Sequence, residues 1–204
     1  MMSVDNSAKI GTMLSFDKDD FYFLQILKRR KDNPEMDRDM VVIKNYYVES
    51  IDHYIKIIPR IMSLCDYENA RAYFRLNKRN YKKNGLQMIK RVADHISSGN
   101  NSAIKNAFDS VCGEFHSDKD KKWIVDVDFK DFENRMDVLV RIHNYVENLQ
   151  TETGKEPMLE VLPTKNGYHM ITRPFNLSKF KLLINDLDVR LDVHKDNPTI
   201  LYCP

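Results

Sequence analysis

The stretch Trp123-Ile-Val-Asp-Val-Asp-Phe129 carries the residues whose types and spacing could do chemistry. It alternates as a strand does. Trp123, Val125, Val127 and Phe129 share one face, and Asp126 and Asp128 share the other. Two carboxylates at neighbouring positions of one face repel each other, and burying them unpaired costs roughly several kcal/mol. A divalent cation resolves that conflict, and hard oxygen donors favour Mg²⁺ or Mn²⁺. A solvated acid pair on an exposed edge is the other resolution.

The elements around this stretch decide what can join it. Residues 122–129 read as a strand and 131–150 as a helix. A second strand spans 158–164, Lys165-Asn-Gly167 reads as a hairpin turn, and a third strand spans 168–174. Asn-Gly is expected to supply the positive φ of a tight turn. A helix over 177–187 and a strand over 189–195 complete a β-α-β-β-α-β order, with 199–203 a further candidate strand. This is the split βαβ arrangement of ferredoxin-like and RNA-recognition (RRM-like) folds. Right-handed crossovers then set the spatial order four-one-three-two, with the acid-bearing strand central.

In that arrangement His169, Ile171 and Arg173 share a face of the third strand, and Arg190, Asp192 and His194 share a face of the fourth. With Tyr168, Met170, Leu191 and Val193 turned to the helices, Asp126, Asp128, Asp192 and His169 meet on the opposite face. Three carboxylates can hold two divalent ions roughly 3.5–4 Å apart, the spacing used in phosphoryl transfer. His169 and Arg173 would stand where a polyphosphate hangs.

The first half, residues 1–117, reads as a mixed, mainly helical subdomain joined to a catalytic subdomain of residues 118–204; the whole is α+β. Residues 17–31 read as a helix, 40–48 as a strand and 50–69 as a helix with a kink at Pro59. Residues 70–77 alternate, with Arg71, Tyr73, Arg75 and Asn77 on one face. Two helices follow, over 81–97 and 102–115, and the charged run 117–122 marks the boundary.

Bulk properties leave the choice of partner open. The chain has 204 residues, 42% of them hydrophobic and 30% charged, with a formal charge of +2. Its basic residues cluster at 28–31 and 71–83, the latter interleaved with Tyr73, Phe74 and Tyr81. Such clusters bind phosphate chains or are solvated faces. Cys65, Cys112 and Cys203 have no zinc-ligand spacing, and Cys112 with His116 gives only an isolated pair. Scattered thiols point to a reducing compartment and argue against a disulfide scaffold. The absence of a long apolar run argues against a membrane protein, so a cytoplasmic, soluble chain is expected.

Taken together, the residues resemble the catalytic core of the archaeo-eukaryotic primase superfamily, which includes primase-polymerases. Val125-Asp-Val-Asp128 is similar to its first motif, an apolar strand ending in two spaced acids. Gly167-Tyr-His169 is similar to its second, with Gly where Ser is common, and Leu191-Asp192 to its third. The resemblance covers about residues 121–204. It implies a template-dependent nucleotidyltransferase in which Asp126, Asp128 and Asp192 are catalytic and hold two Mg²⁺ or Mn²⁺ ions. His169 would hold the triphosphate, helped by Lys165 and Arg173, with Lys195 and Asn197 reaching the nucleotide from the turn after the fourth strand. Arg71 and Arg75 would contact nucleic acid from a basic strand. The implied partners are a single-stranded DNA template, nucleoside triphosphates and a separate helicase or replication protein. Compact cores of this kind are typical of viral and mobile-element genes. Two alternatives stand beside this expectation: a non-catalytic, RRM-like single-stranded nucleic-acid-binding module, and a metal-dependent nuclease using the same acids.

Overall fold

The computed structural model describes residues 3–117, 119–129, 135–149, 156–185, 187 and 189–204. In chain order the elements are β1 (Val4–Asp5), α1 (Ser7–Thr12), β2 (Asp20–Arg29), β3 (Met40–Val48), α2 (Ile51–Glu68), β4 (Arg71–Phe74), β5 (Arg79–Asn80) and α3 (Tyr81–Ser97). A 3₁₀ turn (Asn101–Asn106) leads into α4 (Ala107–Glu114). Then come β6 (Trp123–Asp128), α5 (Arg135–Leu149), β7 (Met158–Pro163), β8 (Gly167–Thr172), α6 (Leu177–Leu183), β9 (Arg190–His194) and β10 (Thr199–Cys203). The fold is α+β, with antiparallel pairing wherever strand registers are defined. Among the described residues no helix is long and apolar enough to cross a membrane.

Two units divide the chain. The first comprises Met1–Lys119 and Ile200–Pro204, the second Asp120–Thr199. The boundary therefore falls inside the charged run, but the last five residues leave the 118–204 segment and join the first unit. There β10 lies between β1 and β4 in a sheet of order β1-β10-β4-β2-β3, with β5 also on β2.

Residues 20–29 correct the helix expected over 17–31: they form the strand β2, between β3 and β4. Phe21 and Phe23 pack with Cys112, Tyr47, Tyr81 and Phe108 on one face. On the other face Tyr22 lies 5.5 Å from Phe74, whose ring is 5.9 Å from that of Tyr54 in α2. A strand covered on both faces needs a continuous apolar run, so the alternation that identifies a half-exposed strand is missing. α2 has sharp ends: the Ser50 hydroxyl accepts from the His53 N–H, and Asn69 closes the helix in the left-handed region. The helix continues through Pro59.

The three cysteines are free thiols and buried. Burial pushes the Cys112 thiol up to about 11 and the Cys65 thiol up to about 12. Only the thiolate reacts, so both should resist iodoacetamide at pH 8 in the folded chain and react fully in urea. Alkylation followed by mass spectrometry checks this; rapid modification of either folded residue would contradict it.

The second unit has the sheet order β7-β8-β6-β9, the order expected from the β-α-β-β-α-β sequence. Trp123, Val125 and Val127 of β6 form one core with Met170, Leu139, Ile142 and Val146 of α5, and Phe180 of α6. Tyr168, Leu191 and Val193 pack against this core. Both helices thus contribute to the apolar core on one face, leaving the β6 aspartates on the other.

Candidate functional site

The β6 registers create the site. Asp126 pairs directly with His169 on β8 and with Asp192 on β9, so one cross-strand row carries all three side chains on the face opposite the core. One step along β6, Asp128 pairs with Gly167 and Arg190. Residues more than 60 positions apart in sequence therefore meet because one central strand is flanked by two others.

Asp126 is the electrostatic focus. One carboxylate oxygen is 3.4 Å from His169 Nε2, the other 4.0 Å from His194 Nε2. Burial raises its pKa, but the His169 hydrogen bond, reinforced by the charges of His169, His194 and Arg190, outweighs burial and holds it below the usual carboxylate value. His169 is itself anchored: its Nδ1 is 2.8 Å from Thr199 Oγ1, and Thr199 is fully buried. That contact leaves Nε2 facing the acid. Asp192 is more exposed and lies 3.7 Å from the Arg190 guanidinium.

Three aspartates offering hard oxygen donors suit Mg²⁺ or Mn²⁺, and the direct opposition of Asp126 and Asp192 sets two like charges where a cation relieves repulsion. As the side chains stand, Asp126 is turned to the two histidines and Asp192 to Arg190. Among the described residues no group of three His, Cys, Asp or Glu gathers as a ready ligand set.

Gly167 is explained by contact rather than by turn conformation. Its φ lies outside the left-handed region, correcting the expectation from Asn-Gly. A Cβ at this position would sit 1.8 Å from the Val127 carbonyl oxygen and 2.9 Å from its carbon. The β6 backbone leaves no room for any side chain.

The remaining candidates are spread more widely. Lys165 is in the β7–β8 turn, two residues before the partner of Asp128. Arg173 follows β8 and donates from Nε to the Glu156 carbonyl. The Lys195 ammonium lies 5.3 Å from the centroid of the Trp123 ring, and Asn197 is exposed between β9 and β10. In the first unit Arg71 is not an outward residue. It is buried and makes a two-pronged ion pair with Asp32, at 2.7 and 2.6 Å. Arg75 is half-buried beside Gly113. Breaking a buried pair strands one charge, so Arg71→Ala should cost the first unit about 3–5 kcal/mol. Urea unfolding checks this, and an unchanged midpoint would contradict it.

The structure adds two contributors to the expected site residues, His194 and Thr199. His194 was legible as the same-face neighbour of Asp192. Thr199 had no signal, because its contact depends on how the chain turns between β9 and β10. No protein-family model, curated protein or solved structure matches this chain.

Proposed function

We propose that the chain is a template-dependent nucleotidyltransferase of the primase-polymerase kind, adding nucleotides to nucleic acid. The observation that carries this reading is the row Asp126–His169–Asp192, in which three separate motifs resembling those of the primase superfamily meet on one sheet face.

Asp126, Asp128 and Asp192 would hold Mg²⁺ or Mn²⁺, which when bound supplies activation of a primer 3′-hydroxyl and charge neutralisation on the leaving pyrophosphate. His169 orients the triphosphate: the Thr199 contact fixes its ring, and its Nε2 is the polar edge presented to the acid row. His194 adds a second donor beside Asp126. Lys165, at the Asp128 end of the row, supplies a cation for phosphate. Arg173, Lys195 and Asn197 remain candidates for outer contacts to the nucleotide and Arg75 for nucleic acid, whereas Arg71 is held by Asp32 inside the first unit. Single-stranded DNA, nucleoside triphosphates and a separate helicase or replication protein are the proposed partners.

The RRM-like binding alternative needs aromatic side chains on the open face. Phe129 and Tyr168 instead pack against the helix-side core, which disfavours base stacking there. The test is incorporation of labelled nucleotide on single-stranded DNA with Mg²⁺ or Mn²⁺. Divalent-dependent extension is expected. Binding that persists in EDTA without incorporation would replace this reading with the binding module. Template degradation without triphosphate would replace it with the nuclease.

A further inference from the structure

α3 turns polar as well as apolar residues inward: Tyr81, Met88 and Val92 are half-buried beside Asn84. Its fully buried residue is Asn84, and Arg91, on its half-buried side, makes a two-pronged ion pair with Glu114 of α4. Its outward side carries an apolar stripe among charged residues: Leu86, Ile89 and Ile96 are 56%, 62% and 59% exposed, with exposed Ala93 between them and exposed Lys82, Lys83, Lys90 and Asp94 alongside. The spacing 86, 89, 93, 96 is the three-four-three pattern of a coiled-coil seam. A surface helix ordinarily turns such a stripe inward, and a contiguous outward one marks an interaction face.

Beside this seam runs a groove of about 440 Å³, lined by Lys83, Leu86, Ile89, Lys90, Phe115 and His116 among others. Among the described residues, none of those lining it is a carboxylate. Lys83 and Lys90 are seven residues apart, one heptad, so both rim the same side of the seam. The groove thus combines apolar anchors in Leu86, Ile89 and Phe115 with a cationic edge.

We propose that this face docks an acidic amphipathic helix of a partner protein, its apolar stripe on Leu86, Ile89 and Ile96 and its carboxylates against Lys83 and Lys90. Helix-in-groove recognition needs these two elements: apolar anchors at helical spacing and a charged rim that selects the partner. A second copy of this chain fits less well, because antiparallel seams would set the lysine rows against each other. Single-stranded nucleic acid also fits less well, because among the described lining residues only Phe115 and His116 offer rings for base stacking, and both are at one end of the sequence that lines the groove. The proposal is independent of the chemistry at Asp126.

The experiment titrates the full chain with a fluorescent designed peptide of about three heptads, carrying Leu at the seam positions and Glu at the flanking ones. Fluorescence anisotropy reports affinity, and amide chemical shifts report location. Saturable binding is expected, with shifts confined to residues 83–96 and 115–117. Ile89→Asp should weaken binding about tenfold or more. The double variant Lys83→Glu, Lys90→Glu should lose the Glu peptide and gain a peptide with Lys at the flanking positions. Circular dichroism verifies that both variants fold.

Five outcomes would overturn the proposal. These are no saturation below about 1 mM, equal binding of the Glu and Lys peptides to the unmodified chain, or shifts centred elsewhere. The fourth is a dimer in sedimentation that Ile89→Asp dissociates, which assigns the face to a second copy. The fifth is oligothymidine binding lost in the double lysine variant while peptide binding stays unchanged, which assigns it to nucleic acid.

Discussion

Gly167→Ala should destabilise the second unit by about 3 kcal/mol or more, a large effect for one methyl group. The added carbon would meet the Val127 carbonyl at 1.8 Å and the Asp128 Cα at 3.1 Å. Both are backbone atoms of the central strand, and Val127 is fully buried in the core, so neither can swing aside as a flexible side chain would. The β6–β8 ladder must part where Asp128 pairs with Gly167. Serine, common at this position of the motif that the chain resembles, brings the same Cβ and should fail in the same way. Trp123 is the sole tryptophan and lies in the core of this unit, so its fluorescence reports the transition. A urea midpoint equal to that of the unmodified chain would show that the close approach is not there.

Asp126→Ala should lower nucleotide incorporation by about a hundred- to thousandfold or more, the scale on which removing one charged or polar group from a preorganised site acts. The fold should survive, because Asp126 lies on the face away from the hydrophobic core and its removal opens no apolar cavity. Its loss also leaves His169 and His194 without the carboxylate they share. Asp128→Ala should fall in the same range, and the double variant should be little worse than either single one, since groups acting as a unit are not additive. Incorporation that survives Asp126→Ala would refute the assignment of these acids to catalysis.

The site was easier to read than the first unit because half-exposed strands announce themselves. Trp123–Phe129 alternates, and so does 190–194, so hydropathy alone assigns Asp126, Asp128 and Asp192 to one face. His169 followed once Tyr168 and Met170 were given to the core, and the structure packs both there. β2 could not be read this way, because helices covering both of its faces erased its alternation. Arg71 looked outward in a regular alternation; only the tertiary fold brings Asp32, 39 residues earlier, into contact with it. Thr199 was hidden for a similar reason. A short local signal marks a strand, but the course of the chain beyond β9 decides that Thr199 meets His169 and that Ile200–Pro204 join the first unit's sheet. In Asn166-Gly167 the sequence pattern points to conformational freedom, whereas the space beside Val127 is what demands the glycine.

The most direct measurement is a crystal structure of the chain with Mn²⁺ and a non-hydrolysable nucleoside triphosphate, read by anomalous scattering. The account predicts manganese peaks bounded by Asp126, Asp128 and Asp192, with phosphate oxygens at His169. Manganese absent from that sheet face at saturating concentration, or bound with the triphosphate elsewhere on the chain, would contradict it.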